Sequence, residues 1–129
     1  MQHQAGANET ILIVEDEPVI RLNIADYLRV QGFRVVEATS AVEAIAIMQS
    51  DVVKVDLVFS DVQTPGDMDG FGLSHWLRVN RPDVPLILTS AYAMAFETEA
   101  IVDQRRPFVA KPYDEQHVVC RIRSLLTNH

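Results

Sequence analysis

The stretch Ile11-Leu12-Ile13-Val14-Glu15-Asp16-Glu17-Pro18 lays out a strand, a turn and a helix start in eight residues. A continuous apolar run of four, without polar alternation, suits a strand covered on both faces. The run stops at three carboxylates, and Pro18 fits the first turn of a helix. The same punctuation recurs twice: Leu57-Val58-Phe59-Ser60 runs into Asp61, and Phe108-Val109-Ala110 into Lys111-Pro112. In an open α/β sheet, ligands bind outside the carboxyl ends of the strands. Two acidic strand ends brought together repel unless something positive lies between them, and Lys111 or a divalent cation would serve. The alternative is that these carboxylates cap helices and face water.

The rest of the chain fits an alternation of strands and helices. Ile20, Ile24, Tyr27 and Leu28 form a helical stripe that Gly32 is placed to end. Arg34 to Ala38 makes a second strand. Ser40 and Glu43 form a capping-box pattern, with Val42, Ile45 and Ala46 on one face of a helix ending near Ser50. Val55 to Ser60 is the third strand, followed by turn formers from Thr64 to Gly70. Leu73, Trp76 and Leu77 mark a third helix that stops before Pro82. Leu86 to Thr89 is a fourth strand, and residues 94 to 104, weakly periodic, are assigned a short helix. Phe108 to Ala110 is the fifth strand. Asp114 caps a last helix with Val118, Ile122, Leu125 and Leu126 on one face. Five strands alternating with five helices predict an α/β fold with a doubly wound parallel sheet. Residues 1–9 read as a disordered tail, 10–126 as one domain and 127–129 as a second tail, leaving no room for an output domain.

Composition narrows the function classes. A net charge of −7 and a pI near 4.9 argue against the phosphate contacts that supply most nucleic-acid affinity. No apolar run approaches the roughly 20 residues a membrane helix needs, and MQHQAGANET lacks the basic start and apolar stretch of a signal peptide. The single cysteine, Cys120, cannot form an internal disulfide. That fits a reducing compartment, so the expected location is the cytoplasm. Cys120 itself is expected to be a small buried or half-buried hydrophobe. His75 and His117 show no ligand spacing and read as surface residues.

Over residues 10 to 126 the chain resembles the receiver domain of bacterial two-component response regulators, on the motifs ILIVEDEP, LVFSD followed by TPGDMDG, LILTSAY and FVAKPY. The resemblance implies a flavodoxin-like sheet of order 2-1-3-4-5 and a phosphorylation switch rather than an enzyme, with at most self-phosphorylation and self-dephosphorylation. It makes Asp61 the phosphoryl acceptor from a histidine kinase or histidine phosphotransfer protein. Mg²⁺ would be held by Asp16, Asp61 and the backbone carbonyl of Gln63, with Glu15 assisting. Lys111 would pair with the phosphoryl group, Ser90 would hydrogen-bond it, and Phe108 would be the aromatic whose rotamer follows. Thr89 also carries a hydroxyl; strand alternation aims one of the two at the site, and Ser90 is favoured. Phe108 reads equally well as simple core. Signalling would pass by protein contact to a downstream partner, without direct nucleic-acid or membrane binding, and the face from residue 92 to 126 is the one expected to form any homodimer.

The sequence departs from the common receiver pattern at several places. Glu15 stands where many receivers have Asp. The Pro65–Asp69 loop is one residue longer, and Asp103-Gln104-Arg105-Arg106-Pro107 replaces a small-residue segment. Tyr92 and Gln63 occupy the two positions that in the family tune the lifetime of the phosphoryl group. Two other classes compete. An aspartate-nucleophile phosphatase of the haloacid dehalogenase kind needs an acid/base Asp two residues after the nucleophile, where this chain has Gln63. General acid–base help of that kind is worth roughly 10²–10⁴-fold, so sustained turnover is not expected. An unphosphorylated scaffold receiver would carry a decayed site, whereas every key position here holds competent chemistry. A module of a hybrid kinase remains a further origin for such a chain, against which the starting Met and short tail weigh for a free-standing protein.

Overall fold

A computed structural model describes residues 9–90 and 107–127. Strands β1 (Thr10–Val14), β2 (Arg34–Ala38), β3 (Leu57–Asp61), β4 (Leu86–Ser90) and β5 (Phe108–Ala110) form one sheet of order β2-β1-β3-β4-β5. Every neighbouring pair is parallel. Four helices accompany them among the described residues: α1 (Pro18–Val30), α2 (Ala41–Gln49), α3 (Gly70–Asn80) and α4 (Glu115–Thr127). The short helix assigned to residues 94–104 lies outside the described residues.

Apolar runs became central strands because both sheet faces are covered. Every residue of β1, β3 and β4 is buried. Alternation then sends side chains into two separate cores. Ile11, Ile13, Leu57, Phe59, Ile87 and Val109 pack against α1 and α4. Leu12, Val14, Val58, Leu86 and Leu88 pack against α2 and α3. Complete burial of each such side chain is worth about 1.5–3 kcal/mol, which fixes the register: a slip of one residue would exchange the two cores.

The boundaries differ from the sequence reading in ways that matter. β3 begins two residues later, at Leu57, and takes in Asp61; β4 extends to Ser90. On α2 the buried residues are Ala41, Ala44 and Met48, whereas Val42 is 57% exposed, Ala46 is exposed and Ile45 only half-buried. The helix is apolar nearly all round, and the small Ala41 and Ala44 let it lie close against β1 and β2. Ser40 caps it as expected, accepting from the Glu43 N–H at 3.1 Å, but Glu43 reaches back to the Thr39 N–H rather than that of Ser40. Cys120 is exposed, not buried, because α4 turns Val118, Val119, Ile122 and Leu126 inward.

Candidate functional site

Because β1 and β3 are neighbours, with Val14 paired to Ser60, the residues after them emerge side by side. One carboxylate oxygen from each of Glu15, Asp16 and Asp61 lies within 4.8 Å of the others. Glu15 and Asp61 are buried, 4% and 6% exposed, and Asp16 is exposed. From the far edge of the sheet, Lys111 follows β5 and crosses over to them. Its Nζ donates to Asp61 Oδ2 at 2.8 Å and to Glu15 Oε1 at 3.1 Å. The sequence thus placed the positive group correctly, between two acidic strand ends.

Each group is further held by backbone. The Gln63 N–H donates to Asp61 Oδ1 at 3.1 Å, so both oxygens of Asp61 are engaged. The Glu17 N–H donates to Glu15 Oε2, also at 3.1 Å, and Glu17 itself caps α1 by accepting from the Val19 N–H. Gly70 closes the loop after β3, its N–H donating to the Val62 carbonyl at 2.6 Å. A Cβ there would lie 2.6 Å from the Val62 Cα and 2.7 Å from the Asp61 carbonyl oxygen. Only glycine allows α3 to start so near the end of β3.

Burial shifts the titration of these groups. Desolvation raises the Glu15 pKa above its ordinary value, outweighing the hydrogen bonds from Glu17 and Lys111 that favour its charged form. Burial works against the Lys111 ammonium, yet its bonds to Asp61 and Glu15 prevail and raise its pKa. Tyr113, two residues on, is pushed up by burial, helped by the fields of Glu15, Glu115 and Asp61. Its ring meets Phe59 edge-on, with centroids 5.5 Å apart.

The remaining candidates divide. Ser90 is fully buried at the end of β4, paired with Ala110. The residue paired with Asp61 is Thr89, which therefore shares its face of the sheet. Alternation alone points to Thr89, so the case for Ser90 rests on the resemblance and on its place at the strand end. The Thr89 hydroxyl is buried without a hydrogen-bond partner. Phe108 is half-buried against the α2/α3 core, and Gln63 is exposed. Tyr92 and the Asp103–Arg106 segment lie outside the described residues. Two residues that the sequence reading passed over, Arg21 and Glu37, stand behind the site. The Arg21 Nη1 donates to the Glu15 carbonyl at 3.0 Å, and its Nε to Glu37 Oε1 at 3.1 Å. A separation of 16 residues across a helix and a strand leaves no sequence signal for that pair.

A five-stranded flavodoxin-like sheet with three carboxylates and a lysine at its carboxyl edge defines a class of signalling domain. The model for the response regulator receiver domain matches residues 11–123, and the chain belongs to that family. Receiver domains are phosphorylation switches of two-component systems that interact with histidine kinases or phosphotransfer proteins. The chain is 37% identical over 122 residues to the sensor kinase CckA of Brucella abortus, covering 94% of this chain and 13% of that protein. It is 33% identical to the probable transcriptional regulatory protein TcrX of Mycobacterium tuberculosis, covering 98% of this chain and 53% of TcrX. The chain thus spans about half or less of the length of these relatives. Among solved structures, the receiver domain of the hybrid histidine kinase CckA superposes with a TM-score of 0.76 at 32% identity, covering 91% of this chain and 98% of that one. No helix among the described residues is long and apolar enough to cross a membrane.

Proposed function

We propose that Asp61 accepts a phosphoryl group, in a Mg²⁺-dependent reaction, from a phosphohistidine on a histidine kinase or phosphotransfer protein. The observation that carries this reading is the Lys111 ammonium bonded at once to Asp61 and Glu15, with Asp16 alongside. An Asp61 carboxylate oxygen attacks phosphorus, the P–N bond to the donor imidazole breaks, and an acyl phosphate forms. Lys111, already on Asp61, is placed to meet the incoming phosphoryl charge as a point charge.

The residues present fit a hard divalent cation: three carboxylates supply oxygen ligands, and the site already draws one positive group between two of them. Glu15, Asp16 and Asp61, with the Gln63 carbonyl, would hold it. Such a cation neutralises charge on the phosphoryl oxygens, much of what phosphoryl transfer requires. A structure in which the Thermotoga maritima response regulator TrrA is in complex with Mg²⁺–BeF, with a TM-score of 0.80 at 26% identity, supports the cation reading by analogy. Ser90 hydrogen-bonds the phosphoryl group, and the Phe108 rotamer responds to that bond. The domain, residues 10–126, signals from the cytoplasm by contact with a protein partner, with no catalysis beyond its own phosphorylation and dephosphorylation. Incubation with acetyl phosphate and Mg²⁺ is expected to give one labile adduct on Asp61, lost in Asp61→Asn. Equal incorporation by both proteins, read by intact mass, would sink this assignment.

A further inference from the structure

We propose that Arg21 is a positioning residue for the cation site, aimed by Glu37, and that together they fix the peptide joining two of its carboxylate ligands. The proposal rests on the reading that Glu15, Asp16 and Asp61 hold a divalent cation.

Glu15 stands at the point where β1 ends and the chain turns into α1, and its backbone is held on both sides. Its N–H donates to the Ala38 carbonyl at 3.0 Å, continuing the pairing with β2. Its carbonyl has left the sheet and accepts instead from Arg21 Nη1 at 3.0 Å. That carbonyl belongs to the peptide linking Glu15 to Asp16, so its plane sets the directions in which both carboxylates leave the backbone. A single guanidinium therefore governs two candidate ligands that it does not touch.

Arg21 is in turn aimed. Its Nε donates to Glu37 Oε1 at 3.1 Å, and Glu37 Oε2 accepts from Arg29 Nη2 at 3.1 Å. Arg21 and Glu37 side chains are 17% and 23% exposed, so solvent screens this pair less than a surface ion pair. The planar fork of arginine spans a carboxylate on one side and a carbonyl on the other, which the compact ammonium of lysine does less well. Glu37 lies on β2, paired with Ile13 of β1. The chain of contacts thus runs from the sheet edge, through α1, to the turn that carries the ligands.

Field and position predict opposite signs at Arg21. If the guanidinium acted only through its charge, its removal would make the site more negative and tighten Mg²⁺. If it holds the Glu15–Asp16 peptide, its removal loosens two ligands and weakens Mg²⁺ despite the gain in negative charge. Outer-shell partners of metal ligands typically contribute roughly 10–100-fold in affinity.

The test is calorimetric Mg²⁺ titration of wild type, Arg21→Gln, Arg21→Lys, Glu37→Gln and the Arg21→Gln/Glu37→Gln double variant, each first shown to be folded by its circular dichroism melt. Arg21→Gln is expected to bind about tenfold more weakly, with Arg21→Lys in between. Glu37→Gln is expected to weaken binding less, and to add nothing once Arg21 is gone, since it acts through Arg21. Unchanged or tighter binding by Arg21→Gln would overturn the proposal, as would full wild-type affinity in Arg21→Lys or equal effects of Glu37→Gln with and without Arg21. Should Arg21→Gln fail to fold, Arg21→Lys and Glu37→Gln carry the same test. A wild type that binds no Mg²⁺ defeats the cation reading itself, a separate result from a wild type that binds and variants that do not differ.

Discussion

The two turns that build the site solve the same problem at different lengths. Between β1 and α1 lie three residues, Glu15 to Glu17, and the first and last are tied outward or forward: Glu15 to Ala38 on β2, to Arg21 and to Lys111, and Glu17 to the start of α1. Between β3 and α3 lie eight residues, Val62 to Asp69, braced by a bond of their own and tied at both ends to the flanking strands and to α3. Thr64 Oγ1 donates to the Met68 carbonyl at 2.7 Å, and Asp69 caps α3 through the Gly72 N–H. The longer turn reaches back to the sheet at Val62, whose N–H donates to the Thr89 carbonyl and whose carbonyl accepts from Gly70. The short turn borrows its rigidity from surrounding elements, whereas the long one adds a brace of its own and is anchored to the sheet and to α3 at Val62.

The largest effect should come from breaking that anchor. Gly70→Ala drives a Cβ into the backbone at Val62 and Asp61, which cannot swing aside as a side chain would. A loss of about 3 kcal/mol is expected in urea unfolding, the upper end for overpacking. Wild-type stability in this variant would mean that the long turn yields freely and is not anchored there. Gly66, in the same turn, has φ +95° and nothing within 4 Å of the place a Cβ would take. Substitution there should be tolerated on steric grounds and suffer only from backbone strain.

A smaller effect, of opposite sign, is expected at Thr89. Its backbone carbonyl supports the long turn, but its buried hydroxyl is unpartnered. Thr89→Val removes that hydroxyl at constant shape and should raise stability by about 1 kcal/mol. A loss of stability would show that the hydroxyl is satisfied in solution. The smallest change is expected for Tyr113→Phe beside the site, and it shows in the pH dependence. With its folded pKa raised above the ordinary 10.0, the Tyr113 phenol favours folding fully below pH 10. That contribution is lost as pH rises from 10 towards the folded value, because the unfolded state gives up the proton first. Melting curves from about pH 8 to about pH 11 should therefore fall less steeply for Tyr113→Phe than for wild type; identical slopes would place the phenol in water.

Much of this was legible in the sequence where one physical signal acted alone. Ile11–Val14 reads as a strand because both-sided burial leaves no polar alternation, Phe108–Ala110 was legible by its apolar run alone although Ala110 is exposed, and the acidic and basic endings announced the site. The α2 face was misjudged because an almost uniformly apolar helix carries no clear period, and close approach selected its alanines over Val42. Cys120 was misplaced because a small residue within an amphipathic pattern can sit on either side of its boundary. The β4 end was ambiguous because Thr89 and Ser90 carry the same group on opposite faces. The Arg21–Glu37 pair was invisible, being created by the packing of α1 against β2.

Lys111 follows the three-residue β5, which among the described residues pairs with β4 alone. The two bonds from its ammonium therefore act as a clasp that fastens the margin of the sheet to its middle. Whatever occupies or neutralises Asp61 and Glu15 competes for that clasp. A cation that drew Asp61 and Glu15 away from Lys111 would slacken the hold on β5, whereas a phosphoryl group on Asp61 would keep the ammonium engaged, and amide exchange along Phe108–Ala110 should tell the two apart.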